Sequence, residues 1–141
     1  MINQKSCGAI IFIKDEEIEY LLLEYGLGHW DFPRGLIEEN ETEQKTAVRE
    51  IKEETGIAKI KFIPNFREKI HFFYKKDNVL ISKEVIYLLA KSETKEIKLS
   101  FEHTNYKWLN YKEAVKGLTF KTSKNALKIA DETLNSSLLN Y

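Results

Sequence analysis

Residues Gly35–Ile57 read GLIEENETEQKTAVREIKEETGI, and three glutamates, Glu50, Glu53 and Glu54, crowd its end. Ala47, Val48, Ile51 and Thr55 recur at helical spacing before Gly56, which can end a helix by taking a left-handed backbone. Either Asn40 or Thr42 is suited to cap its start. At about 100° per residue the three glutamates occupy one arc, and Val48, Ile51 and Thr55 share the neighbouring one, expected to be buried. A solvated helix face is the default for a glutamate-rich helix. Two physical costs argue against it here. Like charges at i,i+3 and i,i+4 repel, and the C-terminal end of a helix disfavours negative charge. A divalent cation removes both costs, because several hard oxygen ligands on one face suit Mg²⁺ or Mn²⁺.

The flanking residues make the pattern more specific. Gly35, Glu41, Arg49, Glu50, Ile51, Glu53, Glu54, Gly56 and Ile57 match G-x5-E-x7-R-E-U-x-E-E-x-G-U throughout, where U is a bulky aliphatic residue. This is the Nudix box, and the chain resembles the Nudix hydrolases. The resemblance implies an α/β/α sandwich with a mixed sheet and a loop-helix-loop site that cleaves nucleoside diphosphates linked to another group. It makes Glu50, Glu53 and Glu54 the metal ligands, with Glu53 or Glu54 handling the attacking water. Arg49 then orients a glutamate, Glu41 serves the loop and the outer metal shell, and Gly35 and Gly56 permit the turns. The chemistry is consistent, since a polyphosphate repels nucleophiles until cations neutralise its oxygens.

Outward from the box, Ser6–Ile13 and Ile18–Tyr25 read as two strands around the polar KDEE, and GLGHWDFPRG reads as irregular. Ile57–Tyr74 and Glu84–Ala90 are β-rich around KKDN, with a short strand near Tyr106–Leu109. Asn110 and Glu113 have capping-box spacing for a short helix, and a last helix is expected over Ser123–Leu139. The 141 residues show no repeat or linker and are read as one domain, 1–141.

Composition narrows the function classes. With 43% apolar and 31% charged residues the chain is neither disordered nor membrane-spanning in character. Lys+Arg and Asp+Glu balance at 22 each, so no basic field recommends a nucleic-acid or membrane partner. The lone Cys7 is read as a small core residue and fits a reducing, cytoplasmic setting.

The segments GHWDFPRG, KEVIYLLA, LSFEHTNYKWL and FKTSKNAL resemble the asymmetrical diadenosine tetraphosphate hydrolases within the family. That resemblance implies a nucleotide substrate such as a dinucleoside polyphosphate. It makes His29, Arg34 and Lys83 phosphate ligands and Glu102 a fourth metal acid. Tyr74 and Tyr87 are candidates to stack on adenine. His103, beside Glu102, is read as a structural or surface histidine, with contact to a phosphate as the alternative. Other Nudix activities are the alternatives: removal of pyrophosphate from RNA 5′ ends, or cleavage of nucleoside triphosphates or nucleotide sugars. A nucleotide-sensing module without turnover is disfavoured, because every acid of the box is present.

Overall fold

The computed structural model describes residues 1–101, 103 and 105–136, with the backbone alone at Leu27. Its strands are β1 (Ile2–Lys14), β2 (Ile18–Tyr25), β3 (His29–Asp31), β4 (Arg34–Leu36), β5 (Ile60–Phe62), β6 (Glu68–Lys76), β7 (Val79–Ser92) and β8 (Asn105–Asn110). Its α-helices are α1 (Glu43–Thr55), α2 (Tyr111–Gly117) and α3 (Lys121–Leu134).

One mixed sheet runs β3-β2-β1-β7-β5. β1 lies parallel to β7 from Ile2↔Ile81 to Phe12↔Lys91, and the remaining pairs are antiparallel. Alternation along the central strands divides the core into two layers. Cys7, Ala9, Ile11, Leu21, Leu23, Ile86 and Leu88 pack with Ala47 and Ile51 of α1. Ile10, Phe12, Tyr20, Leu22, Val85, Tyr87 and Leu89 pack with Ala126, Leu127 and Ala130 of α3. Helices therefore cover both faces, giving the α/β/α sandwich.

Several boundaries depart from the sequence reading. β1 begins at Ile2, because pairing with β7 recruits the polar residues before Ser6. The segment expected to be irregular contains β3 and β4, ordered by β2 and β1. Ile57–Tyr74 is interrupted by a turn at Pro64–Asn65, with Asn65 at φ 67°. KKDN closes the β6–β7 hairpin with Asp77 at φ 53° and Asn78 at φ 62°, a type I′-like pair matched to strand twist. α3 starts at Lys121 without a side-chain cap, so no capping residue marked its start. Its expected end, Leu139, lies outside the described residues. Asn110 caps α2 as its spacing predicts, accepting from Glu113 N at 3.0 Å. Among the described residues no helix is long and apolar enough to cross a membrane.

Candidate active site

Local sequence sets the ends of α1. Thr42 Oγ1 accepts from Lys45 N at 3.1 Å. Gly56 adopts φ 77° and donates its N–H to Lys52 O at 2.9 Å, a left-handed C-terminal stop that suits glycine. The buried arc comprises Thr46, Ala47, Ile51, Glu54 and Thr55. This corrects the sequence expectation: Val48 is 40% exposed, while Glu54 is only 4% exposed. α1 sits on the sheet rotated toward its acidic side, so one carboxylate enters the interior.

Glu54 Oε1 accepts from the Tyr25 hydroxyl at 3.2 Å and lies 2.9 Å from His103 Nε2. His103 is itself buried, and its ring meets Tyr25 edge-on at 4.5 Å between centroids. It is therefore a structural partner of the acid and not a surface histidine. Its segment is held against the end of α1 by Lys98 N to Thr55 O (2.8 Å) and Ser100 N to Glu54 O (3.3 Å). Burial pushes the Glu54 carboxyl up to about 7; the His103 contact opposes the shift and nearby Glu50 adds to it.

Arg49 organises the other acids. Its Nε and Nη2 donate to the two Glu41 oxygens at 2.7 and 2.9 Å, Nη1 donates to Glu50 Oε1 at 2.7 Å, and Nη2 also reaches Leu36 O at 3.0 Å. Such charge-assisted, two-pronged bonds fix carboxylate orientation. The hydrogen bond from Arg49 holds the Glu41 carboxyl down at about 2, helped by the Glu38 backbone N–H. Glu50 packs against Gly35, where any Cβ would collide with its carboxylate. Gly35 thus makes room for an acid. Glu53 is the most open of the three, with its side chain 59% exposed and 3.5 Å from Arg49 Nη1.

Among the described residues no three acidic, histidine or cysteine side chains converge tightly enough to hold an ion as they stand. Glu102, expected to add a fourth acid, lies outside the described residues. The residues still fit a divalent cation. Glu54 Oε2 is buried with no hydrogen-bond partner among the described residues, and a desolvated carboxylate oxygen beside a second carboxylate calls for a positive charge.

Next to this acidic face is a cavity of about 450 Å³ whose lining includes Tyr25, His29, Arg34, Phe72, Tyr87 and Phe120. Arg34 Nη1 donates to Asp31 Oδ2 and to Tyr87 Oη, both at 2.6 Å, and its guanidinium lies 5.5 Å from the Tyr25 ring centroid. His29 meets Phe120 edge-on at 5.1 Å. Lys83 is in register with Phe72 and Gln4 on the cavity face of the sheet. Burial, reinforced by the charge of Arg34, lowers its pKa. The structure thus brings His29 and Arg34 to one cavity, with Lys83 at its side.

Of the two candidate tyrosines, Tyr87 differs from expectation. Tyr87 has no exposed surface, its hydroxyl is tied to Arg34 and Asp31, and its ring packs edge-on against Phe32. A ring without an open face cannot stack on a base. Tyr74 donates to Gln4 Oε1 at 3.0 Å and leans on Phe72, outside the cavity lining. The residues missed by sequence reading are Tyr25, Asp31 and Phe120, together with the pairing of His103 to Glu54. Only their long-range contacts reveal them; Tyr25 and Phe120 carried no local signal beyond being aromatic.

The sandwich, the box helix and its arginine-held acids define a Nudix hydrolase, and the NUDIX domain model matches residues 4–131: the chain belongs to that family. It is 36% identical over 146 residues to the mouse asymmetrical bis(5′-nucleosyl)-tetraphosphatase, covering 94% of this chain and 97% of that protein. The Caenorhabditis elegans enzyme of the same name is 36% identical over 118 residues, covering 79% of this chain and 83% of that protein. The crystal structure of a binary complex of a C. elegans Ap4A hydrolase superposes with a TM-score of 0.82 at 32% identity, covering 93% and 97% of the two chains.

Proposed function

We propose that the protein hydrolyses dinucleoside polyphosphates, diadenosine tetraphosphate above all, asymmetrically to ATP and AMP with Mg²⁺, or Mn²⁺ in its place. The observation that carries this reading is Tyr25. Its hydroxyl contacts Glu54 of the acidic helix, and its ring borders the Arg34 cavity, so the two halves of a polyphosphate site share a wall. The named relatives support the choice of substrate.

Glu50, Glu53 and Glu54 would hold the metal, with Glu102 as the further acid. The bound cation would neutralise phosphate oxygens and acidify the attacking water. Glu54 Oε1 is held by Tyr25 and His103, which leaves Oε2 to face the ligand. Arg49 keeps Glu50 and Glu41 in place, a role of orientation. Water attacks a terminal phosphorus of the bridge, and its proton passes to Glu53 or Glu54. The P–O bond to the leaving ATP breaks, and AMP remains. Arg34, His29 and Lys83 would hold the phosphate chain, and Phe120 and Phe72, 40% and 36% exposed at the cavity, offer ring faces to a base. Buried Cys7 suits a reducing, cytoplasmic setting.

A nucleotide panel with Mg²⁺ tests the reading. Diadenosine tetraphosphate should yield ATP and AMP faster than nucleoside triphosphates, nucleotide sugars or RNA 5′-triphosphate ends are cleaved. Turnover of one of the latter without any dinucleoside polyphosphate cleavage would replace it.

A further inference from the structure

Asp31, only 2% exposed, is the most heavily bonded side chain at the cavity wall. Its Oδ1 accepts from Phe32 N (2.9 Å), Ser123 Oγ (2.8 Å) and the Tyr87 hydroxyl (3.3 Å), and its Oδ2 accepts from Arg34 Nη1 (2.6 Å). Arg34 therefore commits one nitrogen to the protein, which Tyr87 Oη shares. Its Nε and Nη2 make no hydrogen bond among the described residues, although the side chain borders the cavity and is 23% exposed. Ser123 stands in the first turn of α3, beside Phe120, Lys121 and Thr122, which also line the cavity.

We propose that Asp31 is a positioning residue: it locks the Arg34 guanidinium with one edge bonded inward and the other free for phosphate, and ties that edge to the first turn of α3. This rests on the polyphosphate reading of the cavity. An untethered arginine samples many rotamers and must lose them on binding, whereas one bonded at Nη1 has already lost them. Asp31 also offsets the repulsion between Arg34 and Lys83, which are close enough for the arginine to lower the lysine's pKa. The cationic wall can thus stay assembled before any anion arrives. Asn would retain an acceptor for Phe32 N and Ser123 while losing the charge that anchors Arg34.

The test is a double-mutant cycle of Asp31→Asn and Arg34→Ala. It is read by KM and kcat on diadenosine tetraphosphate and by calorimetric binding of inorganic tripolyphosphate. Asp31→Asn should raise KM and weaken tripolyphosphate about tenfold, with kcat within about threefold, and should change neither binding readout more than about twofold when Arg34 is already Ala. Equal losses in both backgrounds, or no loss, overturn the proposal. Should Asp31→Asn fail to fold, Ser123→Ala decides: about threefold weaker tripolyphosphate binding only when Arg34 is present supports the tether, and the same loss without Arg34 overturns it. Wild-type protein that does not bind tripolyphosphate also overturns it. Tripolyphosphate binding with the predicted cycle, but no dinucleoside polyphosphate turnover, would instead refute the substrate reading and leave the role of Asp31 standing.

Discussion

His103 Nε2 lies 2.9 Å from Glu54 Oε1, with both side chains almost wholly buried, while the other Glu54 oxygen has no hydrogen-bond partner among the described residues. An acid in that position is costly to the fold in the absence of metal and valuable in its presence.

Glu54→Gln should therefore stabilise the metal-free protein while removing activity. The buried carboxyl titrates at about 7, against about 4.5 when unfolded. A raised carboxyl pKa means that destabilisation begins as pH rises past 4.5 and is complete above 7. In EDTA the variant should exceed wild type by about 3 kcal/mol at pH 8, with the difference shrinking toward pH 5. Thermal melts across this range check it. Saturating Mg²⁺ should narrow or reverse the difference, because the cation stabilises the complete wild-type site more than one that lacks an acid.

Arg49→Lys should lower kcat about 10- to 100-fold with a smaller change in KM. One ammonium cannot reproduce the two-pronged grip on Glu41 together with the bonds to Glu50 and Leu36 O. Steady-state kinetics beside a melting curve separates this from unfolding.

Acid should weaken the fold through Glu41 and Glu43, both held at about 2 by hydrogen bonds, chiefly from Arg49 and Arg67 respectively. Depressed carboxyl pKa values give stability that is complete above about 4.5 and lost as pH falls toward 2. The melting temperature of metal-free protein should fall over that window, and Glu41→Gln or Glu43→Gln should flatten the fall at low salt. An unchanged slope in both variants would contradict this.

Phe120→Ala should raise KM about tenfold, because stacking on a base is worth roughly 1–3 kcal/mol. Tyr74→Ala, which removes the ring together with its bond to Gln4, should leave KM within about twofold. Kinetics on the two variants decides which aromatic meets the base.

The parts of the fold that were legible in the sequence are local. The cap at Thr42, the stop at Gly56 and the strand Ile18–Tyr25 follow from neighbouring residues. The box places Arg49 one helical step from Glu50, and their bond forms at 2.7 Å. What was not legible depends on how elements dock. Periodicity puts Glu54 and Val48 at opposite edges of the apolar arc of α1, and only packing on β1 decides that Glu54 is buried and Val48 exposed. Tyr87 looked available for stacking until β1, β6 and β7 enclosed it. Asp31 and Ser123 stand 92 residues apart, and no spacing rule joins them.

The most direct measurement is turnover of diadenosine tetraphosphate in ¹⁸O-labelled water with Mg²⁺, comparing wild type, wild type with excess EDTA, and Glu54→Gln. The predicted result is label in AMP and none in ATP for wild type, no turnover in EDTA, and a kcat lower by orders of magnitude in Glu54→Gln. Undiminished activity in EDTA or in the Gln variant would contradict a metal-dependent acidic site, and production of two ADP would contradict asymmetric cleavage.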